Sequence, residues 1–161
     1  DQVNNLTALN PSIINNSAIY NVMAAKYHRA DELGVQINLA IFMDLNEIEQ
    51  HMKIYEFTRI LGILMDNAIE ATAECKDKVI HVTFRKEENR KRMVMIIENT
   101  YLNKDVDIDR IFDKDFSTKS KETNSGLGLW EVRQVLKKNN NLNLFTTKNE
   151  EFFVQQFEIY Y

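Results

Sequence analysis

Residues 54–75 constrain the fold more than any other stretch of the chain. Phe57, Ile60, Leu61, Leu64, Ala68 and Ala71 recur at helical spacing and make one apolar stripe, while Ile63, Asn67, Glu70 and Glu74 make a second, partly polar one. Such a helix must lay its first stripe on a hydrophobic surface, and its second stripe is left for a neighbour or a ligand. The surface comes from segments that alternate with period two. Val35, Ile37, Leu39 and Ile41 predict a strand over 35–42; 79–85 and 93–98, joined by the charged 86–92, predict a hairpin; 143–147 and 152–160 flank a turn at 148–151. Two more helices are expected. One covers 17–33 through Ile19, Val22, Met23, Tyr27 and Ala30, and ends at Gly34, where a left-handed cap is needed. The other covers 128–139 through Leu129, Val132, Val135 and Leu136. The polar, Asn-rich segment 1–16, which holds Pro11, predicts a frayed lead-in. Runs of helix and of mostly antiparallel strand predict an α+β, two-layer sandwich: a mixed sheet with helices on one face. Between Asn99 and Gly128 the periodicity vanishes apart from a turn at 107–112, and loops of that length in compact domains are functional lids or disordered.

Composition narrows the function classes. With 161 residues, 44% apolar and 27% charged, the chain fits one domain with a sizeable core. Four glycines and one proline, where average usage gives roughly eleven and eight, exclude collagen-like, linker-like and disordered classes. A net charge of −4, from 20 basic and 24 acidic residues, offers no electrostatic footprint for nucleic acid, which is not expected as a partner. Cys75 is alone, so no internal disulfide forms; a reducing compartment and a small buried side chain are the expectation. No apolar run approaches the roughly 20 residues that cross a bilayer, and no signal peptide is visible. A start at Asp1 without Met predicts a piece excised from a longer protein.

Three segments carry potential chemistry. In Asp66-Asn67-Ala68-Ile69-Glu70, the Asn and the Glu three residues apart share a helix face. Oxygen-bearing side chains there suit a hard cation together with phosphates; a solvated polar face is the plainer reading. In Asn124-Ser125-Gly126-Leu127-Gly128-Leu129-Trp130, glycines lead into a helix whose first N–H groups lack intrahelical partners and favour an anion; a flexible connection is the alternative. In the loop before it, Phe112 and Phe116 are aromatic anchors beside Lys119 and Lys121, which can reach phosphate oxygens, or which simply make a charged surface.

In order and spacing these segments resemble the ATP-binding catalytic domain of sensor histidine kinases, within the superfamily that also holds gyrase B and MutL. "LGILMDNAIEAT" resembles the N box, "FDKDFSTK" the lid-anchoring F box and "NSGLGLWEVRQVL" the G2 box, most closely those of the AgrC-like branch that reads peptide pheromones. "NPSIINNSAIYNVMAAKYHRADELGV" resembles that branch's junction with the dimerising helices. The resemblance implies a Bergerat-type ATP-binding fold over 34–161, preceded at 1–33 by a linker and the end of the junction helix. It implies ATP and Mg²⁺ as cofactors, with Asn67 as the Mg²⁺ ligand that bridges the phosphates and Glu70 at a phosphate-site position that is basic or polar in many relatives. Gly126, Leu127, Gly128 and Leu129 would form the glycine-rich phosphate edge. Lys119 would be the lid cation, flanked by Phe116 and Thr118.

Two departures from the pattern matter. Many relatives carry Asp-x-Gly-x-Gly after the central strand, the Asp accepting the adenine amino proton; here the strand ends Ile97-Glu98-Asn99-Thr100-Tyr101, with Asn99 as the stand-in and Glu98 as the alternative. ATP-hydrolysing relatives place a Glu one turn before the Mg-binding Asn, where this chain has Ile63, an apolar side chain that accepts no proton. Phosphoryl transfer to a histidine is therefore expected over gyrase-type hydrolysis, with a degenerate docking module without kinase activity as the other alternative. His28, beside Asp31, sits in the junction context, and His51 and His81 read as surface positions, so the acceptor is expected on a dimerisation domain absent from this chain. The implied parent is a homodimeric, membrane-anchored bacterial sensor of quorum-sensing type, with this domain in the cytoplasm and a response regulator receiving the phosphate.

Overall fold

In the computed structural model, residues 13–113 and 125–161 are described. In chain order the elements are helix α1 (Ser17–Glu32), strand β1 (Gln36–Phe42), helix α2 (Ile54–Ala73), strands β2 (Val79–Glu87) and β3 (Arg92–Thr100), helix α3 (Ser125–Lys138), and strands β4 (Leu142–Lys148) and β5 (Phe152–Tyr160). The five strands form one sheet in the order β1-β2-β3-β5-β4. Only β1 and β2 run parallel; the other neighbours are antiparallel. This is the expected mixed, mostly antiparallel sheet with its helices on one face.

Alternation along the strands sorts the two faces. Ile80, Val82 and Phe84 of β2, Met93, Met95 and Ile97 of β3, and Phe157 and Ile159 of β5 belong to one core with Phe57, Ile60, Leu61, Leu64 and Ala68 of α2. Phe57 stands between Phe84 and Phe157, with ring centroids 6.4 and 6.1 Å away. Each fully buried side chain of this size contributes about 1.5–3 kcal/mol, so the first stripe of α2 is firmly held to the sheet.

Helix α1 joins the same core through Ile19, Met23, Tyr27 and Ala30. The residues just before it are not frayed. Ile14 is buried, and Asn16 caps the helix by accepting from the Ile19 N–H at 3.1 Å while its amide donates to Asn46 at 3.0 Å and to the Glu49 carboxylate. At the other end, Val35 N–H reaches Ala30 C=O at 2.8 Å and Gly34 N–H reaches Asp31 C=O at 3.2 Å, with Gly34 at φ +71°. That is a Schellman closure, with the Gly34 stop where the sequence places it. The sequence pattern does not signal the 3-10 helix over Leu45–Gln50. Its two buried residues, Leu45 and Ile48, are three apart, the spacing that such a helix repeats.

The opposite face of the sheet carries no helix among the described residues, and a polar network seals it. Arg92 donates to Glu87 at 2.5 Å and to Glu158 at 2.6 Å, and Glu158 also accepts from Tyr160 at 2.8 Å and from Gln156 at 2.7 Å. Glu158 is fully buried, and its charge is tolerated because Arg92, itself buried, pairs with it. The Arg92 guanidinium, opposed by the cost of burial, also holds the Glu87 carboxyl below its ordinary value of 4.5. A carboxylate of this kind contributes stability that is complete above its unfolded pKa and lost as the pH falls through its lowered folded value. The Glu87→Gln variant is therefore expected to be less stable than the wild type near neutral pH, with the gap closing as the pH falls below 4.5. Urea unfolding midpoints at a series of pH values measure this, and a gap that does not narrow in acid contradicts it.

Candidate functional site

The site grows out of the second stripe of α2, which faces α3. At the start of α2 the buried Glu56 carboxylate receives Asn139 Nδ2 at 3.5 Å and lies 3.5 Å from Lys138 Nζ. One turn on, Arg59 donates to Glu131 through Nε at 2.9 Å and also through Nη2. A further turn on, Ile63 lies so close to Gly128 that a Cβ built on that glycine would stand 3.0 Å from Ile63 Cγ2. These three rungs run in opposite directions along the two chains, so the helices are antiparallel and their register is set. The next rung on α2 is Asn67, and the first turn of α3, Ser125 to Gly128, arrives beside it.

Helix α3 starts at Ser125, three residues earlier than the expected 128. Gly126, Leu127 and Gly128 are thus the first turn itself, where N–H groups have no intrahelical acceptor and the helix dipole is positive. Asn67 and Glu70, half-buried, carry oxygen donors on the same stripe of α2. Leu129 packs against the core from the start of α3.

The third side of the site is the end of β3. Asn99 faces Ile80 and Phe153 in the ladder, follows Met93, Met95 and Ile97 on the helix side of the sheet, and is 3% exposed. Glu98, opposite His81 and Val154, points to the other face. The alternation therefore brings Asn99, and not Glu98, to the helix side, where α2 and α3 lie. The Asn99 amide nitrogen donates to Thr100 C=O at 2.9 Å, which leaves the amide oxygen as the atom that can accept from a ligand.

A pair of hydroxyls that sequence reasoning missed ties these parts together. Thr72 and Thr100 are hydrogen-bonded to each other, Thr100 donates to Asp77 C=O at 2.6 Å, and Thr72 accepts from the Val79 N–H at 3.1 Å. The end of α2, the start of β2 and the end of β3 meet there, so the helix of Asn67 is registered against the strand of Asn99. Nothing in the periodic pattern distinguishes these threonines; Glu56, Arg59 and Glu131 likewise read as ordinary surface charges.

Phe116, Thr118 and Lys119 lie outside the described residues, as does Lys121. The histidines stand apart from the site. His28 is exposed and 3.8 Å from Glu32, His51 stacks on Tyr161 at 5.1 Å, and His81 meets the edge of Phe152 at 5.4 Å. Cys75 is buried, its thiol 3.8 Å from Ala71 C=O. No described helix is long and apolar enough to cross a membrane.

Known proteins share this fold. The family model described as the GHKL domain covers residues 52–160. Among solved structures, the nucleotide-free catalytic domain of the histidine kinase ThkA superposes with a TM-score of 0.68 at 20% identity, over 89% of this chain and 90% of that one. The Acinetobacter baumannii histidine kinase AdeS gives 0.66 at 15% identity, over 89% and 63%. Full-length ShkA, solved in complex with AMPPNP, gives 0.65 at 18% identity, over 89% and 29%. A probable C4-dicarboxylate sensor kinase of Halalkalibacterium halodurans is 26% identical over 127 residues, 78% of this chain and 24% of that protein, so the chain spans about a quarter of this relative's length. Since the family model spans well over half of the chain and the fold is that of histidine-kinase catalytic domains, this chain belongs to the GHKL domain family.

Proposed function

We propose that this chain is the catalytic domain of a two-component sensor kinase, passing the γ-phosphate of ATP to a histidine on a dimerisation segment outside the chain. The observation that carries the reading is the α2–α3 register, which sets the open first turn of α3 beside Asn67. A neutral amide oxygen suits a Mg²⁺ ion whose remaining ligands are phosphate oxygens and water, and among the described residues no cluster of three His, Cys, Asp or Glu offers a competing metal site. The absence of a side chain at Gly128 leaves the space that a Cβ would take against Ile63. These features fit a Mg-nucleotide: Asn67 would hold the ion, with Glu70 one turn on, the N–H groups of 126–129 would receive phosphate oxygens, and Asn99 would accept from the base. Mg²⁺, when bound, offsets triphosphate charge.

The chain's own contribution is positioning and charge stabilisation, and no side chain need act as a nucleophile. Ile63 occupies the place from which a carboxylate would activate water, and it is buried under Gly128, which favours transfer to a protein acceptor over hydrolysis. Lys119, with Phe116 and Thr118, is assigned to the lid by the F-box resemblance. The same resemblance, together with the glycine-free turn after Asn99, supports the AgrC-like, pheromone-reading branch. It also supports a homodimeric, membrane-anchored parent with this domain in the cytoplasm. A response regulator as the recipient is supported by ThkA, whose structure is known in complex with the response regulator TrrA.

Two outcomes test the reading. With Mg-ATP and the parent's dimerisation segment, the wild type is expected to place acid-labile phosphate on that segment, and Asn67→Ala to lower the rate by roughly a hundredfold or more, as expected when one charge-positioning group is lost. Equal labelling by both proteins sinks the proposal. The two helical glycines separate structure from function. At Gly62 a Cβ would stand 3.8 Å from Lys26 Cε and 3.9 Å from Val22 Cγ1, ordinary contacts, so Gly62→Ala is expected to raise stability by up to about 1 kcal/mol without weakening nucleotide binding. Gly128→Ala is expected to push on Ile63 and weaken Mg-ATP binding several-fold; thermal melts and nucleotide titrations of both variants read the contrast.

A further inference from the structure

The chain that leaves β3 beyond Asn99 has no glycine before the next helix, and among the described residues positive φ occurs only at Lys91 and Gly34. Over the described residues 100–113 its course is therefore not set by left-handed turns, and side chains hold the segment after Asn99 in their place. Tyr101, 7% exposed, donates its hydroxyl to Asn149 C=O at 2.5 Å, and its ring meets the edge of Phe153 at 5.9 Å. The Lys104 ammonium sits 3.7 Å from the centroid of the Tyr101 ring and donates to Tyr101 C=O at 2.8 Å. From β4, Lys148 Nζ donates to Lys104 C=O at 2.5 Å and to Val106 C=O at 3.1 Å.

The other end of this clamp is stiff. Asn149 Oδ1 accepts from the N–H groups of Glu151 and Phe152, both at 2.8 Å, and Asn149 N–H donates to Phe152 C=O at 2.9 Å, which closes the turn between β4 and β5. In the ladder Phe153 is opposite Lys148 on one side and Asn99 on the other, so the clamp and the base-side Asn99 share one end of the sheet. A charged ammonium bound to two carbonyls makes stronger hydrogen bonds than neutral donors do, and ordering a segment in advance removes that cost from ligand binding.

We propose that Lys148 and Tyr101 are positioning residues for the nucleotide base: they tie the segment that follows Asn99 to the β4–β5 turn, replacing by side-chain clamps the glycine turns that other members of the family use there. This rests on the nucleotide-binding reading given above. The test uses the full chain with Mg-ADP, and compares the wild type with Lys148→Met, Lys148→Arg and Tyr101→Phe by calorimetric titration, with hydrogen exchange of the 102–106 amides followed in parallel. Lys148→Met and Tyr101→Phe are expected to weaken Mg-ADP binding by roughly five- to tenfold and to speed exchange in that segment, as loss of one strong hydrogen bond implies. Lys148→Arg, which keeps the charge and the donors, is expected to restore affinity to within about twofold. Faster exchange with unchanged affinity makes the clamp merely structural and overturns the proposal, as does unchanged exchange, or weakening by Arg as large as by Met. A wild type that binds no Mg-ADP at millimolar concentration overturns the nucleotide reading itself. Lys148 is exposed, so its Met variant is expected to fold and decides the matter even if Tyr101→Phe does not.

Discussion

Everything in the site depends on the rigidity of α2 between two packing surfaces. One stripe, with Phe57, Ile60, Leu61, Leu64 and Ala68, is buried in the sheet, and no rotation of the helix is possible without exposing it. Because consecutive residues of an α-helix turn by about 100°, fixing that stripe fixes the other, and Asn67 is aimed by the burial of residues it does not touch. Helix α3 is then laid on the second stripe in a register set by Glu56, Arg59 and Ile63. The charged rungs are partly exposed and individually weak. Their function is alignment, while the Ile63–Gly128 contact supplies the close approach.

The two sheet faces show how differently charge is handled. On the helix side, Asn99 lies beyond the last core residues of β3, and at the strand's end Thr100 is hydrogen-bonded to Thr72 of α2. On the open side, Arg92 and Glu158 are buried as a pair, at a desolvation cost that several additional hydrogen bonds offset. The network spans residues of β2, β3 and β5, and it sets their lateral register at the end of the sheet away from Asn99.

The scarcity of glycine acquires a specific meaning in this frame. Gly34 ends α1 in a left-handed conformation, and Gly128 lets two helices approach. Gly62 does neither: it lies against α1 at distances that a methyl group would tolerate. After Asn99, where the chain has no glycine, Tyr101, Lys104 and Lys148 hold the segment by side-chain bonds.

Much of the architecture was legible in the chain. The stripe on α2, the alternation in the strands and the Gly34 stop are local patterns, and burial of apolar surface enforces them wherever the segments come together, so element types, the mixed sheet and the placement of Asn67 on a helix followed from sequence. Element ends did not. Strand β2 runs two residues and β3 one residue further into the hairpin, where Glu87 and Arg92 pair across it, and α3 starts three residues early, at Ser125. Sequence offers Asn99 as the stand-in and keeps Glu98 as the alternative; adjacent strand residues point to opposite faces, and only the face that the helices cover shows that Asn99 is on their side. The hydroxyl pair of Thr72 and Thr100 and the Lys148 clamp were invisible, since their partners are 28 and more than 40 residues away and no local period records them. The sequence by itself determined which residues are apolar together and which could carry phosphate chemistry; tertiary structure decided which of them meet, because long-range hydrogen bonds and helix register depend on surfaces that exist only once the core has formed.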